Sequence, residues 1–202
     1  MITIVNYGLG NLGSIANMLK RIGEPCEITS NLEKITEAKK ILLPGVGSFD
    51  AAMNMIRNLG LEQILKKKAL EEKVPFLGIC LGMQLLTDCS EEGNLLGLGL
   101  IKGKAIRFQF NDKLLKIPHM GWNRIHLKNS SPLLFGMEEE QKFYFAHSYY
   151  VVCHHRENVI AQTSYGHDFD SIIQSGNVLG AQFHPERSHR YGMRLLKNFA
   201  MI

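Results

Sequence analysis

Apolar positions in the first half of the chain follow two alternating periodicities. Short apolar runs bounded by turn residues are typical of strands in a parallel sheet, and between them apolar residues recur every three or four positions, as in helices. This alternating order favours a parallel sheet with helices on both faces. The predicted strands are Ile2–Asn6, Pro25–Ile28, Ala38–Leu43 and Val74–Ile79, and the predicted helices are Leu12–Ile22, Phe49–Leu59, Leu61–Glu72 and Leu81–Leu86.

The second half of the chain is rich in strand patterns and carries little helix until Ser188–Met201. We therefore expect antiparallel additions to an open, mostly parallel central sheet flanked by helices, which is an α/β fold. The chain contains no linker, repeat or low-complexity stretch, so a single domain over residues 1–202 is expected. The additional strands are predicted at Leu100–Phe110, Gly121–Leu127, Lys142–Cys153, Val159–Thr163, Asp170–Gln174 and Val178–Phe183.

Composition narrows the functional class. The chain is 45% hydrophobic and 21% charged, and its net charge of +4 is spread along 202 residues rather than gathered in a nucleic-acid-binding stripe. Its four cysteines form no C-x-x-C pair, which favours free thiols in a reducing cytoplasm over disulfides or a metal site. The start lacks the pattern of a signal peptide, and no apolar run approaches the roughly 18 residues that span a membrane.

The most informative segment places Cys80 between Gly78 and Gly82, directly after the apolar run that ends at Ile79. This is the layout of a nucleophile elbow, in which glycines make room on a sharp strand-to-helix turn. The first turn of the following helix favours a thiolate and offers amides to an oxyanion. The alternative interpretation is that Cys80 is only a small buried residue.

A base and an orienting carboxylate are predicted at the end of the last strand. His184 follows Val178–Phe183, and carboxyl strand ends are where open α/β sheets carry their chemistry. Glu186, two residues further along a segment expected to be extended, can point back and orient the imidazole. Cys80, His184 and Glu186 thus form a candidate catalytic triad. The alternative is a strand-end turn with a solvated glutamate.

Two further glycine-rich turns are candidates for binding roles. Pro44–Gly47 ends a predicted strand, and the amide of the Gly45–Val46 peptide, with that of Leu81, is a candidate oxyanion hole. An ordinary loop fits the same pattern. Gly8–Gly13 completes a G-x-G-x-x-G, which suggests dinucleotide binding, but the acidic residue expected at the tip of the second strand is missing.

Taken together, these segments resemble class I (triad) glutamine amidotransferases, and within them the glutaminase subunit of imidazole glycerol phosphate synthase. The resemblance extends over the whole chain and implies a single glutamine amidotransferase type 1 domain. Beyond Gly78–Gln84 and Phe183–Glu186, it is carried by Asn6–Asn11, Leu43–Gly47, Pro118–Asn123, Tyr144–Tyr150 and Leu195–Phe199.

The resemblance implies a specific activity. Cys80 attacks the carboxamide of L-glutamine, His184 relays protons and Glu186 holds its tautomer, so that ammonia and glutamate are released without a cofactor or metal. The ammonia passes to a (β/α)8-barrel synthase in a heterodimer, which makes imidazole glycerol phosphate and AICAR in histidine biosynthesis. The glutamine-binding residues are implied to be Gly47, Gln84, Glu92, His147, Ser148 and Tyr149. Residues facing the partner or its ammonia route are implied to be Asn11, Met120, Trp122, Asn123 and Arg187.

Two departures leave the ammonia acceptor open. Arg187 stands where the family usually has lysine, and Gly13–Met18 with Ser188–Met193 is more similar to a paralogous branch associated with surface-polysaccharide synthesis. In that branch the ammonia makes an amidine on an acetamido sugar. The intact triad disfavours a noncatalytic partner-binding scaffold, whereas a cysteine hydrolase of another γ-glutamyl substrate also fits the sequence. Neither nucleic acid nor membrane is an expected partner.

Overall fold

The computed structural model describes residues 1–112, 114–137 and 141–202. Strands and helices alternate in the first half, and strands dominate the second half, as the periodicities predict. The strands are β1 (Ile2–Val5), β2 (Cys26–Thr29), β3 (Ile41–Gly45), β4 (Phe76–Cys80), β5 (Cys89–Ser90), β6 (Gly103–Arg107), β7 (His119–Arg124), β8 (His126–Leu127), β9 (Lys142–His147), β10 (Tyr149–Cys153), β11 (Val159–Tyr165), β12 (His167–Ser175) and β13 (Val178–Ala181).

The helices match the predicted ones with one addition. They are α1 (Leu12–Arg21), α2 (Leu32–Glu37), α3 (Phe49–Asn58), α4 (Leu61–Leu70), α5 (Leu81–Leu85) and α6 (His189–Met201). Helix α2 was not predicted, because Ile35 is its one buried residue and a single apolar position creates no periodicity. Within the described residues, every helix is too short or too polar to cross a bilayer.

The main sheet has a parallel half and an antiparallel half. Its strand order is β2-β1-β3-β4-β13-β12-β10-β6-β5. The first five strands of this order, from β2 to β13, are parallel to one another. The next three pairs, β13 with β12, β12 with β10 and β10 with β6, are antiparallel. The edge strand β5 is parallel to β6. Strands β11 and β8 extend the sheet beside β12, and β7 pairs with β9 in a separate two-stranded sheet. The predicted fold class is confirmed.

Apolar side chains fill both faces of this sheet. One cluster lies under α3 and α4 and includes Phe49, Met53 and Leu65. The other lies under α1 and α6 and includes Ile15 and Phe199. Because both faces are covered, the central strands carry continuous apolar runs instead of alternating patterns. Because β3, β4 and β13 are parallel neighbours, their carboxyl ends meet at one edge of the sheet.

Candidate active site

Cys80 occupies a strained turn between β4 and α5. Its φ of 53° and ψ of −112° lie outside the regions that side-chain-bearing residues normally adopt. Such a conformation costs about 1–3 kcal/mol and persists only where the surroundings enforce it. The side chain is 6% exposed and faces a cavity. The predicted strand, turn and helix around the thiol are thus confirmed.

Two glycines make this turn possible. A Cβ on Gly82 would overlap the carbonyl oxygen of Leu43 in β3. A Cβ on Gly78 would come within 2.6 Å of the Gly82 carbonyl oxygen. Helix α5 therefore lies directly against the ends of β3 and β4, which brings Cys80 beside Gly45.

His184 approaches the thiol from the end of β13, the strand next to β4. Its Nδ1 lies 2.8 Å from Oε1 of Glu186, and its side chain lines the same cavity as Cys80. The Ser188 hydroxyl donates to the His184 carbonyl at 2.6 Å and accepts the Tyr144 amide at 2.9 Å, fixing the backbone. The expectation of an extended link was wrong: Pro185–Arg187 is a 3-10 turn, which returns Glu186 toward the ring.

The charge state of His184 is set by competing influences. Burial alone would lower its pKa, because a charged imidazolium loses hydration. Hydrogen bonds and charge from Cys80 and Glu186 outweigh burial and raise the pKa of His184 from 6.5 to about 10. The imidazole therefore holds a proton at neutral pH and can give it to a leaving group.

A cavity of about 280 Å³ opens above Cys80 and His184. All the residues implied for glutamine and for the oxyanion hole line it. They are Val46, Gly47, Leu81, Gln84, Glu92, His147, Ser148 and Tyr149. Glu186 lies behind His184, where an orienting carboxylate belongs. The structure thus brings the predicted residues of both groups to one place.

Hydrogen bonds order one wall of this cavity. His147 Nδ1 lies 2.8 Å from the Tyr149 carbonyl oxygen, which can only accept, so Nδ1 carries the proton. Nε2 of His147 contacts Nδ1 of His119 at 3.1 Å. Gln84 Nε2 also donates to the Tyr149 carbonyl, at 2.9 Å. Both ring nitrogens of His147 are thereby engaged within the wall, which leaves its backbone and ring face for a ligand.

Glu92 also lines the cavity and is held by the start of α3. Its Oε2 accepts the Phe49 amide at 2.8 Å, at the start of α3. Gly47, three residues after Pro44, has a φ of 103°, a value that favours glycine. Val46 is 42% exposed, so its peptide lies at the cavity's rim rather than within the packed core.

Comparison with known proteins fits this geometry. The sequence model of the family "Glutamine amidotransferase class-I" matches residues 3–202. The chain belongs to this family. It is 50% identical to "Imidazole glycerol phosphate synthase subunit HisH 2" of Methanococcus maripaludis, over 98% of each chain. It is 43% identical to the protein of the same name from Pseudomonas aeruginosa, over 100% of each. A solved structure titled "Crystal structure of glutamine amidotransferase" is similar in fold, with a TM-score of 0.74, 20% identity and full coverage of both chains.

The residues of this amidotransferase expected to face a partner lie mostly at the surface. Met120 and Trp122, on β7, are 64% and 46% exposed. Trp122 stacks on His189, and the Arg187 guanidinium lies 4.0 Å from the centroid of the Tyr144 ring. Asn11 is exposed before α1. Asn123 is half-buried, because its Nδ2 donates to the Ser164 carbonyl and contacts His119 Nε2.

The sequence interpretation missed two residues of the amidotransferase site. His119 belongs to the cavity wall only through its pairing with His147 across β7 and β9, a register that a sequence pattern does not fix. Gln182 is fully buried beside Cys80. A signal for Gln182 existed, because it is a polar residue inside the apolar run Val178–Phe183.

Proposed function

We propose that the chain is the glutaminase subunit of an imidazole glycerol phosphate synthase. It hydrolyses L-glutamine and delivers ammonia to a (β/α)8-barrel synthase subunit that forms imidazole glycerol phosphate and AICAR in histidine biosynthesis. The observation that carries this proposal is that Cys80 and His184 line one cavity with the implied glutamine residues, while Glu186 contacts His184 from behind. The names of the two relatives support the same pathway.

In the first half-reaction Cys80 Sγ attacks the side-chain carbonyl carbon of glutamine. The oxyanion is held by the amides of Val46 and Leu81. His184, protonated at neutral pH, gives its proton to the amide nitrogen as the C–N bond breaks, so ammonia leaves and a γ-glutamyl thioester remains. Glu186 fixes the imidazole through Nδ1.

The second half-reaction restores the enzyme. His184, now neutral, takes a proton from a water molecule while the oxygen of that water attacks the thioester carbon. The C–S bond breaks, glutamate leaves, and the sulfur returns as a thiolate beside the reprotonated imidazole. Both steps use the side chains and backbone amides of this chain, glutamine and water.

Coupling to a partner follows from the chemistry of ammonia. At neutral pH free ammonia is mostly ammonium, which is not nucleophilic, so it should reach the second site without entering bulk water. The exposed side chains of Met120, Trp122 and Arg187 offer an apolar and cationic face for a synthase subunit. We expect low glutaminase activity in the free subunit, and an increase when the loaded synthase docks and the Gly45–Val46 peptide turns its amide toward the cavity.

Glutamate release from glutamine tests the proposal, measured with and without the synthase and its ribonucleotide ligand. Cys80→Ala should abolish release in both conditions. Cys89→Ala, a free cysteine outside the cavity, is the matched control and should retain it. Glutamate release by the Cys80→Ala variant would contradict the assignment of Cys80 as the nucleophile. Full glutaminase activity without the synthase would contradict the coupling of the two subunits.

A second product is favoured by one specific observation. Segments Gly13–Met18 and Ser188–Met193, which resemble the polysaccharide-linked branch, contribute to one groove of about 300 Å³ between α1 and α6. If that groove selects the synthase, ammonia goes to an acetamido sugar instead. Titration with each of the two synthases decides this: the one that raises glutamate release is the partner.

A further inference from the structure

Gln182 directly follows β13, two residues before His184, and its side chain is fully buried. Its backbone amide donates to the Ser171 carbonyl at 2.9 Å, which fixes the residue to β12. Its side-chain Nε2 lies 3.9 Å from the sulfur of Cys80. The side-chain amide of Gln182 therefore contacts the candidate nucleophile.

The hydrogen-bond network dictates which end of the Gln182 amide faces the sulfur. The Tyr149 carbonyl can only accept, so the Gln84 atom 2.9 Å away must be its NH₂ group. That same NH₂ group lies 3.3 Å from the Gln182 side chain, so the Gln182 atom there must be its oxygen. The remaining end of the amide, the NH₂ group, then points at Cys80. The orientation follows from acceptor chemistry and not from an arbitrary choice of rotamer.

A donor at this position has a chemical use. Cys80 is 6% exposed, so little water is available to solvate an anionic sulfur. Anionic sulfur occurs twice in the proposed cycle, before attack on glutamine and when water expels it from the thioester. A fixed N–H donor replaces the missing hydration and favours the anion in both steps.

We propose that Gln182 is a catalytic residue that donates a hydrogen bond to the Cys80 sulfur, with Gln84 and the Tyr149 carbonyl as the positioning groups that orient it. This role rests on the proposed glutaminase function for its use in turnover. The contact itself concerns the thiol alone. It can therefore be measured without glutamine, and the two proposals can fail separately.

The direct test is the pH profile of alkylation of Cys80 by iodoacetamide, quantified on the peptide that carries this cysteine. Gln182→Met keeps the side-chain length and removes the donor. We expect the midpoint of the profile to rise by about 0.5 to 1 pH unit, because each unit is a tenfold change in thiolate at a given pH. In the complex with its synthase, kcat should fall about 3- to 10-fold while KM stays within about twofold.

Gln174→Met is the matched control. Gln174 is a half-buried glutamine of β12 whose side chain bonds Ser131 and the Gly176 carbonyl, away from Cys80. Its profile and kcat should match those of the unsubstituted protein. If Gln182→Met shares that unchanged profile and lowers only the melting temperature, Gln182 is a packing residue and the proposal is overturned.

Two further variants keep the question answerable if Gln182→Met fails to fold. Gln182→Glu keeps the shape but turns an acceptor toward the sulfur, so its midpoint should rise further than that of any neutral variant. Gln84→Met removes the orienting partner, and its midpoint should rise less. An unchanged midpoint in both variants would also overturn the proposal. If the wild-type protein releases no glutamate with any synthase, the proposed glutaminase function is wrong. The alkylation result still decides whether Gln182 donates to the Cys80 sulfur.

Discussion

His119 Nδ1 donates to His147 Nε2 across 3.1 Å, inside the wall of the active-site cavity. The direction of this bond is fixed, because the proton on Nδ1 of His147 is already given to the Tyr149 carbonyl. Nε2 of His119 in turn accepts from Asn123 at 3.3 Å. Both rings must be neutral for this chain to exist, since a proton on either accepting nitrogen would set two donors against each other.

Acid should therefore destabilise the protein in a defined range. Burial lowers the pKa of His119 from 6.5 to about 4 and that of His147 to about 3, the latter aided by charge on His119 and His184. The unfolded chain binds these protons near pH 6.5 and the folded chain does not, so the free energy of unfolding falls as pH falls from about 6.5 toward 4. The slope is up to about 1.4 kcal/mol per pH unit for each histidine.

Urea unfolding at several pH values measures this slope. His119→Gln should flatten it between pH 6.5 and 4 by removing one of the two titrating groups. His155→Gln, at an exposed histidine, is the control and should keep the original slope. Equal slopes in all three proteins would show that the buried pair does not carry the acid sensitivity. His184, whose pKa is raised to about 10, acts oppositely: its contribution is present below pH 6.5 and is lost as pH rises toward 10.

Glu186→Gln should impair catalysis more than stability. Cys80 and Glu186 together raise the pKa of His184 against the effect of burial. The substitution removes the contribution of the Glu186 charge. The imidazolium should then lose its proton at lower pH. The alkaline limb of the plot of kcat against pH should therefore move to lower pH. We expect kcat to fall about 10²-fold or more.

The chain offers a matched control for this substitution. His155 and Glu157 repeat the same two-residue spacing at the surface, with Nδ1 and Oε1 3.7 Å apart. Glu157→Gln should change neither kcat nor its pH profile. If Glu186→Gln behaves the same way, the carboxylate does not orient the base.

Gly82→Ala should destabilise the fold at the elbow. The new methyl group would overlap the Leu43 carbonyl oxygen, and backbone cannot move aside as a flexible side chain can. We expect a loss of about 3 kcal/mol or more in the free energy of unfolding.

The control for Gly82 is another helical glycine, Gly13 on α1, where an added Cβ meets nothing within 4 Å. Gly13→Ala should be neutral or stabilising by up to about 1 kcal/mol, because alanine favours helix. Thermal or urea unfolding measures both variants. Equal stabilities would refute the steric argument for the elbow.

Trp122→Ala should weaken synthase docking. A half-exposed tryptophan held against His189 and Tyr144 is a rigid apolar anchor of the kind that dominates interfaces. We expect the Kd for the synthase to rise about 30-fold, with basal glutamate release unchanged. Phe135→Ala, at a side chain 72% exposed, is the control. If both variants bind as tightly as the parent, this surface is not the docking face.

Local chemistry was predictable from the sequence, and lateral pairing was not. The elbow at Cys80 depends on residues within a few positions of one another, and a histidine at a strand end is visible in the same way. The pairing of His119 with His147, and the contact of Gln182 with Cys80, depend on strand register and on which strands are neighbours. The turn at Pro185–Arg187 was mispredicted because the contact of Glu186 with His184 does not require an extended link.

The position of β13 between β4 and β12 has a consequence for biosynthesis. The strand that precedes His184 is translated long after the strand that carries Cys80, yet it inserts beside that strand at the middle of the sheet. A nascent chain that already holds the thiol still lacks the proposed base, the proposed carboxylate and the β13 neighbour of β4. We therefore expect a chain whose synthesis stops before this strand to hydrolyse no glutamine, although it already contains Cys80.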